Sequence, residues 1–238
     1  MIIVKIIRNI LNFFDNFHQN KIIKLISTKF NNKIIIIDVG AHFGETIKKF
    51  RNKLSVKKIY SFEASPVNFK ILKNNTKKYN PTKVEIFNYG LGEKNFDGFI
   101  NQTIESSSST INRINTNSKY YFRKIKILNI KKKEKYFERL PIKLISLDNF
   151  INEKNISKID LLKIDTEGYE YNVLKGLNKN HQIIKLIYFE HHYDDMIIKN
   201  YKFGDIHQIL TNYGFERILK TKMLFRKSFE YIYENKKT

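Results

Sequence analysis

The run Lys33–Ile37 places four consecutive isoleucines directly before Asp38-Val-Gly-Ala-His-Phe-Gly44. Five residues are too few for a helix, and the run is apolar on both faces. A central parallel strand has that character, because helices cover both sides of it. A strand that ends in a glycine-bearing turn and gives way to a helix is the opening unit of a doubly wound α/β sheet.

The rest of the chain keeps that rhythm. Thr46–Leu54 reads as a helix, Lys57–Phe62 as a second strand, and Pro66 opens a helix through about Lys78, since proline suits a first helical turn. Lys83–Asn88 is a third strand. After residue 140 the alternation returns, with strands expected at Pro141–Ser146, Lys158–Ile164 and Ile183–Glu190. Helices are expected at Leu147–Asn152, Tyr169–Leu177 and Asp205–Asn212, the last closed by Gly214. Phe215–Leu219 and Phe229–Tyr233 read as a final strand pair. The stretch 94–140, with its Ser106–Ser109 run, reads as an insertion of hairpins and loops over the sheet. Lys131–Lys135 reads as a solvated turn.

Ahead of the sheet, Ile3, Ile6, Ile7, Ile10, Phe13, Phe14 and Phe17 recur at helical spacing. Residues 1–32 are therefore an amphipathic helical extension and 33–238 one α/β domain. The extension is expected to dock on the domain, with weak membrane-surface contact through residues 1–17 as the other reading. No segment is a transmembrane span or a signal peptide, so the expected location is the cytoplasm. The chain has no cysteine, which excludes disulfides, thiolate metal sites and cysteine nucleophiles.

The net charge of +21 suggests a polyanionic partner. The excess is nearly all lysine, 37 Lys to 7 Arg, and accompanies 38 Ile and 27 Asn. That is the composition of an AT-rich coding sequence, and base readers lean on arginine. No specific nucleic-acid partner is expected.

Four strand ends carry chemistry, and ligands of such sheets bind outside the carboxyl ends of the strands. At the first, Gly40 and Gly44 let a ligand approach backbone, and the helix N-terminus offers free N–H groups. A dinucleotide fingerprint needs glycine also at positions 42 and 45, where this chain has His42 and Glu45. The spacing Asp-x-Gly-x-x-x-Gly suits a ligand with a charged amino-acid end. At the second, Glu63 can accept both hydroxyls of a ribose diol. At the third, Asp165, Glu167 and Glu170 fall within six residues, a crowding that calls for a function or a cation. A helix dipole accounts for Glu170 but not for Asp165. At the fourth, Glu190-His191-His192 offers imidazole bases. With Asp165 the same groups also suit a hard cation, although a plain polar loop is the commoner outcome and no metal is expected.

These residues match a family. IDVGAHFGET (37–46), YSFEASPVNF (60–69), NYGLGE (88–93), LLKIDTEGYEYNVLKG (161–176) and Phe189-Glu190-His191 resemble the FkbM-type methyltransferases over about residues 33–233. These are class I enzymes dependent on S-adenosylmethionine. The resemblance implies a Rossmann-like seven-stranded, mostly parallel sheet with an antiparallel last strand. It implies that Asp38, Gly40 and Gly44 surround the methionine end of the cofactor, with Ala41, His42 and Thr46 in the same turn. Glu63, with Ser65 beside it, then holds the ribose, and Asn88, Gly90 and Leu91 lie near the adenine. Asp165 borders the cofactor and, with Glu167, faces the methyl-transfer cavity, with His191 as a reserve base. Most members have Asn where this chain has His42. The implied activity is O-methylation of a hydroxyl on a sugar, glycan or small natural product. RNA methylation and a non-enzymatic polyanion-coating role are the alternatives.

Overall fold

The computed structural model describes residues 18–130, 136–223 and 227–237. A helix over 18–27 (α1) leads into β1 (Ile34–Val39), α2 (Glu45–Lys53), β2 (Val56–Phe62), α3 (Pro66–Thr76) and β3 (Val84–Phe87). Then come β4 (Gly90–Gly92), β5 (Phe96–Thr103), β6 (Arg113–Ile114), α4 (Lys119–Ile127), β7 (Phe137–Ser146) and α5 (Leu147–Glu153). The chain closes with β8 (Ile159–Ile164), α6 (Glu170–Lys175), β9 (Ile184–His192), β10 (Ile197–Ile198), α7 (Phe203–Asn212), β11 (Phe215–Lys222) and β12 (Ser228–Asn235).

The main sheet has seven strands in the order β11-β12-β9-β8-β1-β2-β3. The pairs from β3 to β9 are parallel, and β12 runs antiparallel between β9 and β11. The antiparallel last strand therefore lies inside the sheet rather than at its edge. The strand order reverses between β1 and β8, and there the crossover helices leave to opposite faces and open a crevice at the carboxyl ends.

Alternation along the strands sends each strand's side chains to both faces. Ile36, Leu161 and Leu186 pack with Ile47 and Phe50 of α2, Leu72 of α3 and Ile22, Ile23 and Ile26 of α1. Ile37, Leu162, Ile187 and Phe189 pack on the other side with Phe150 of α5, Val173 and Leu174 of α6 and Leu210 of α7. Each large side chain so buried is worth about 1.5–3 kcal/mol. The amphipathic pattern at residues 3–17 lies outside the described residues. Among the described residues no helix is long and apolar enough to cross a membrane.

The 94–140 region differs from the expected hairpins and loops. β5 and β7 pair antiparallel from Phe96↔Leu144 to Thr103↔Phe137, and β4 adds parallel to the end of β7. β7 thus starts earlier than Pro141. That proline is tolerated inside the strand because β4 reaches only Leu144–Ser146, so β7 is an edge at Pro141. Helix α4 went unread because only Tyr121 and Ile125 are buried on it amid basic residues; Ser118 starts it by accepting the Tyr121 N–H. The Lys131–Lys135 run lies outside the described residues.

Two glycines separate packing from backbone freedom. Gly176, at the end of α6, has an ordinary negative φ, yet a Cβ there would lie 2.0 Å from the Gly92 carbonyl oxygen. Gly204, in the first turn of α7, has nothing within 4 Å of that position. Urea denaturation should show Gly176→Ala destabilised by about 1–3 kcal/mol or more. Gly204→Ala should be neutral or gain up to about 1 kcal/mol.

Candidate functional site

The turn after β1 is built on left-handed backbone. Gly40, His42 and Gly44 have φ of +84, +49 and +94. A Cβ on Gly40 would lie 1.8 Å from the Asp165 carbonyl oxygen, so only glycine fits. The Gly40 and Ala41 N–H groups both donate to the Phe62 carbonyl at 2.9 Å, and the Asp165 N–H donates to the Val39 carbonyl at 2.9 Å. Three strand ends are laced together there. His42 occupies a left-handed position that Asn and His tolerate better than most residues, which accounts for the exchange with Asn. Its ring lies 2.7 Å from Ser106 Oγ and 3.2 Å from Glu45 Oε1, and it stacks on Phe43. Thr46 stands half-buried in the first turn of α2.

Glu63 closes the far side. Its carboxylate accepts the N–H groups of His42 at 2.8 Å and Ser65 at 2.9 Å. Burial to 6% exposure pushes it up to about 7, against the pull of those bonds. Ser65 caps α3 by accepting the Asn68 N–H, and it also meets Gln102 from β5. Asn88 donates its side-chain amide to the Glu63 carbonyl at 3.0 Å and so fixes the end of β2. Gly90 lies against Ala64, and Leu91 is buried. A cavity between these parts is lined by Gly40, Glu63, Gly90, Leu91, Ile100 and Thr166. One wall is an acceptor carboxylate and exposed backbone, and the other is apolar.

Lys163 was not singled out in the sequence, although a lone cation inside a buried apolar strand needs a partner. It sits opposite Asp38 in the β1/β8 register and is buried at 5% exposure. Its ammonium lies 3.3 Å from Asp38 Oδ1 and 3.4 Å from Asp165 Oδ2. Burial works to lower Lys163, but the two carboxylates outweigh it and hold the ammonium above its usual range. Asp38 is fully buried, and that burial raises its carboxyl despite Lys163 and the Ser61 hydroxyl.

The three acids of the β8 turn have different surroundings. Glu170 is fully buried; its Oε1 accepts from the Thr166 N–H, the Thr166 hydroxyl and the Gly168 N–H, and its Oε2 accepts from the Tyr201 hydroxyl. It shapes the turn through hydrogen bonds, beyond its place in the helix dipole. Asp165 pairs with Lys163. Glu167 has a left-handed φ of +51, and its carbonyl accepts the Thr110 hydroxyl at 2.7 Å.

The two histidines are placed the other way round from expectation. β9 runs two residues past Glu190, and alternation sends His191 and His192 to opposite faces. His191 is buried among Tyr193, Tyr201 and Phe203, and burial pushes its imidazole down to about 3. It does not join the carboxylates. His192 does: Nε2 lies 3.4 Å from Glu167 Oε2 and 3.4 Å from Glu190 Oε1, and Nδ1 lies 3.7 Å from Asp194 Oδ2. Had the strand been extended in the sequence, period-two counting from Tyr188 through Glu190 would have selected His192. Among the described residues no group of three or more His, Asp or Glu is arranged to hold a metal ion.

Comparison with known proteins identifies the family and the fold. The family model for the methyltransferase FkbM domain matches residues 38–217. Methyltransferase 1 of Beauveria bassiana (strain ARSEF 2860) is 24% identical over 155 residues, which are 61% of this chain and 59% of that protein. The FkbM methyltransferase structure from Methylobacillus flagellatus KT aligns with a TM-score of 0.54 at 15% identity, over 84% of this chain and 44% of that one. M. capricolum TrmK, solved with S-adenosyl-homocysteine, aligns with a TM-score of 0.51 at 12% identity, over 90% of this chain and 68% of that one. This chain thus spans less than two thirds of the first two relatives, and the structural likenesses establish the shared fold.

The Asp38–Lys163–Asp165 bridge makes a stability prediction. Removing the cation strands a buried carboxylate, at a cost of about 3–5 kcal/mol. Lys163→Met should lose that much in chemical denaturation, and Asp38→Asn in the same chain should recover part of it. A single Lys163→Met variant as stable as wild type would show that the bridge does not hold these strand ends.

Proposed function

The chain belongs to the FkbM methyltransferase family, and from that premise we propose that it transfers a methyl group from S-adenosylmethionine to a hydroxyl oxygen of a sugar, glycan or small natural product. The observation that carries this reading is the cavity between the Gly40 turn and Glu63, whose lining includes Thr166, the residue between Asp165 and Glu167 on the turn after β8.

The residues suit a nucleoside with an amino-acid tail. Gly40 lets the turn pack directly on the Asp165 backbone and lines the cavity with main chain alone. Glu63 presents oxygens to the cavity that a ribose diol can donate to, and Leu91 and Ile100 offer an apolar wall for a base. Asp38 lies beneath the turn as an acceptor balanced by Lys163. When bound, the cofactor supplies an electrophilic methyl on a sulfonium, a leaving group that needs no protonation.

The protein's own work is then alignment and removal of one proton. Glu167 is the proton acceptor in this reading. Its strained backbone is held by Thr110, so its side chain is not free to follow the loop. Asp165, paired with Lys163, orients the hydroxyl through a hydrogen bond. The segment 104–110 is tied to the turn through the Ser106–His42 contact and in this reading lies toward the acceptor. A polyanionic acceptor fits less well despite the basic surface, because Asp165, Glu167, Glu190 and Asp194 gather around the β8 and β9 ends and repel phosphates.

Two measurements test the reading. In calorimetry, Glu63→Ala should weaken S-adenosylmethionine binding by roughly 2–4 kcal/mol, the worth of two charge-assisted hydrogen bonds. Unchanged affinity would remove Glu63 from the site. In methyl-transfer assays over a panel of hydroxylated sugars, Glu167→Gln should keep a native melting temperature and lose ~10²–10⁴-fold in turnover. Asp165→Asn should lose turnover and some cofactor affinity together. A large drop in melting temperature with intact turnover would make both acids structural.

A further inference from the structure

We propose that His192 is a positioning residue of the methyl-transfer site, an imidazolium clamped by Glu190 and Asp194 that holds the Glu167 carboxylate ionised and in place. The inference rests on the reading of Glu167 as the proton acceptor.

The geometry comes first. β9 presents Tyr188, Glu190 and His192 on one face, so the ring reaches toward the β8 turn. Glu167 and Glu190 approach the same nitrogen at equal distances of 3.4 Å. A neutral ring has one N–H and can satisfy only one of them, leaving the other carboxylate facing a like charge or a lone pair. A charged ring attracts both. Both Nε2 of His192 and Oε1 of Glu190 are buried without a hydrogen bond, which fits a group held between two carboxylates by charge.

The surroundings of the ring are mostly acidic. Glu167 faces it from the β8 turn, Glu170 from α6, Glu190 from its own strand and Asp194 from the loop beyond it, while Asp165 acts on Glu167 and Glu190. From β12, Ser228 pairs with His192 and Glu230 with Glu190, and the Tyr188 hydroxyl bonds Glu230. The cations nearby are Lys199, whose ammonium bonds the His192 carbonyl, and Lys124, which acts on Glu167. Burial works to lower His192, but the carboxylates outweigh it and push the ring up to about 9. Burial raises Glu167, and His192 draws it back down. The imidazolium thus favours the ionised carboxylate, the form that can accept a proton. Without the imidazolium, only Lys124 would oppose the burial that favours the protonated form of Glu167.

The Glu167 backbone gives a second reason. Its φ of +51 directs the side chain from a strained turn, and strain of that kind persists only where neighbours fix it. Thr110 and Asn112 fix the Glu167 and Gly168 carbonyls, and His192 is the partner at the carboxylate end.

The test is a histidine-ring NMR titration of the full chain, with Glu167→Gln and Glu190→Gln alongside wild type. Both substitutions keep size and remove one charge. The His192 ring should titrate well above the usual value of about 6.5, and each substitution should lower its midpoint by roughly one unit or more. The buried His191 ring should not follow. A His192 midpoint at or below about 6.5, or one unmoved by Glu167→Gln, overturns the inference. So does paramagnetic broadening of the ring by added Mn²⁺, which would make it a metal ligand. The turnover of Glu167→Gln on the hydroxyl panel separates the two readings. Lost turnover with an uncoupled His192 leaves the proton-acceptor reading standing without the clamp. Wild-type turnover with the coupling intact overturns the proton-acceptor role and, with it, the positioning role.

Discussion

The close approach of β1 to β8 at the carboxyl edge of the sheet governs everything around the site. A backbone so near that a Cβ on Gly40 would lie 1.8 Å from a carbonyl oxygen leaves no room for a side chain between the strands. Two acids, Asp38 and Asp165, stand at this junction. Their charges would push the strands apart if nothing lay between them. Lys163 lies between them, from the strand that delivers Asp165 and opposite the residue that is Asp38. The cation lets two carboxylates share one strand junction, and the glycine lets the strands meet there.

The same logic recurs one strand further along. Glu167 and Glu190 converge from β8 and β9, and His192 stands between them as Lys163 does between its pair. With His192 charged as proposed, the sheet's carboxyl edge carries two cations, each bridging acids from neighbouring strands. Buried ion pairs of this kind add little net stability but are costly to break. Their value lies in placement: each fixes where an ionised oxygen stands at the floor of the crevice.

What the sequence revealed follows from how local each signal is. The strand–helix alternation is written in consecutive residues, so the β1, β2 and β8 strands and the α2, α3 and α7 helices emerged within a residue or two. The glycine turn is equally local, since its left-handed angles require glycine at two positions. Glu63 could be placed at a strand end, but its bonds to the His42 and Ser65 N–H groups depend on two loops meeting. The histidine assignment failed on one quantity, the length of β9. A strand two residues longer exchanges which of two adjacent side chains faces the site, and no local pattern at His191-His192 records where β12 stops pairing. Helix α4 failed for the opposite reason. Its buried face is two residues wide and packs on Tyr136 and Met196, partners remote in the chain.

A chain of net charge +21 gathers acids at one place, and that contrast bears on the acceptor. Lysines spread over a surface act through screened, long-range attraction, which falls away within about 10 Å at ordinary salt. The acids at the β8 and β9 ends act at contact distance in a drier setting, where each interaction is several-fold stronger. In the proposed reading, an approaching phosphate chain gains a little from the surface and loses more beside these acids. The neutral polyhydroxyl acceptor proposed above meets no such barrier and would bring donors to these acceptors. The hydroxyl acceptor proposed above rests on this short-range field beside Asp165 and Glu167, not on the net charge.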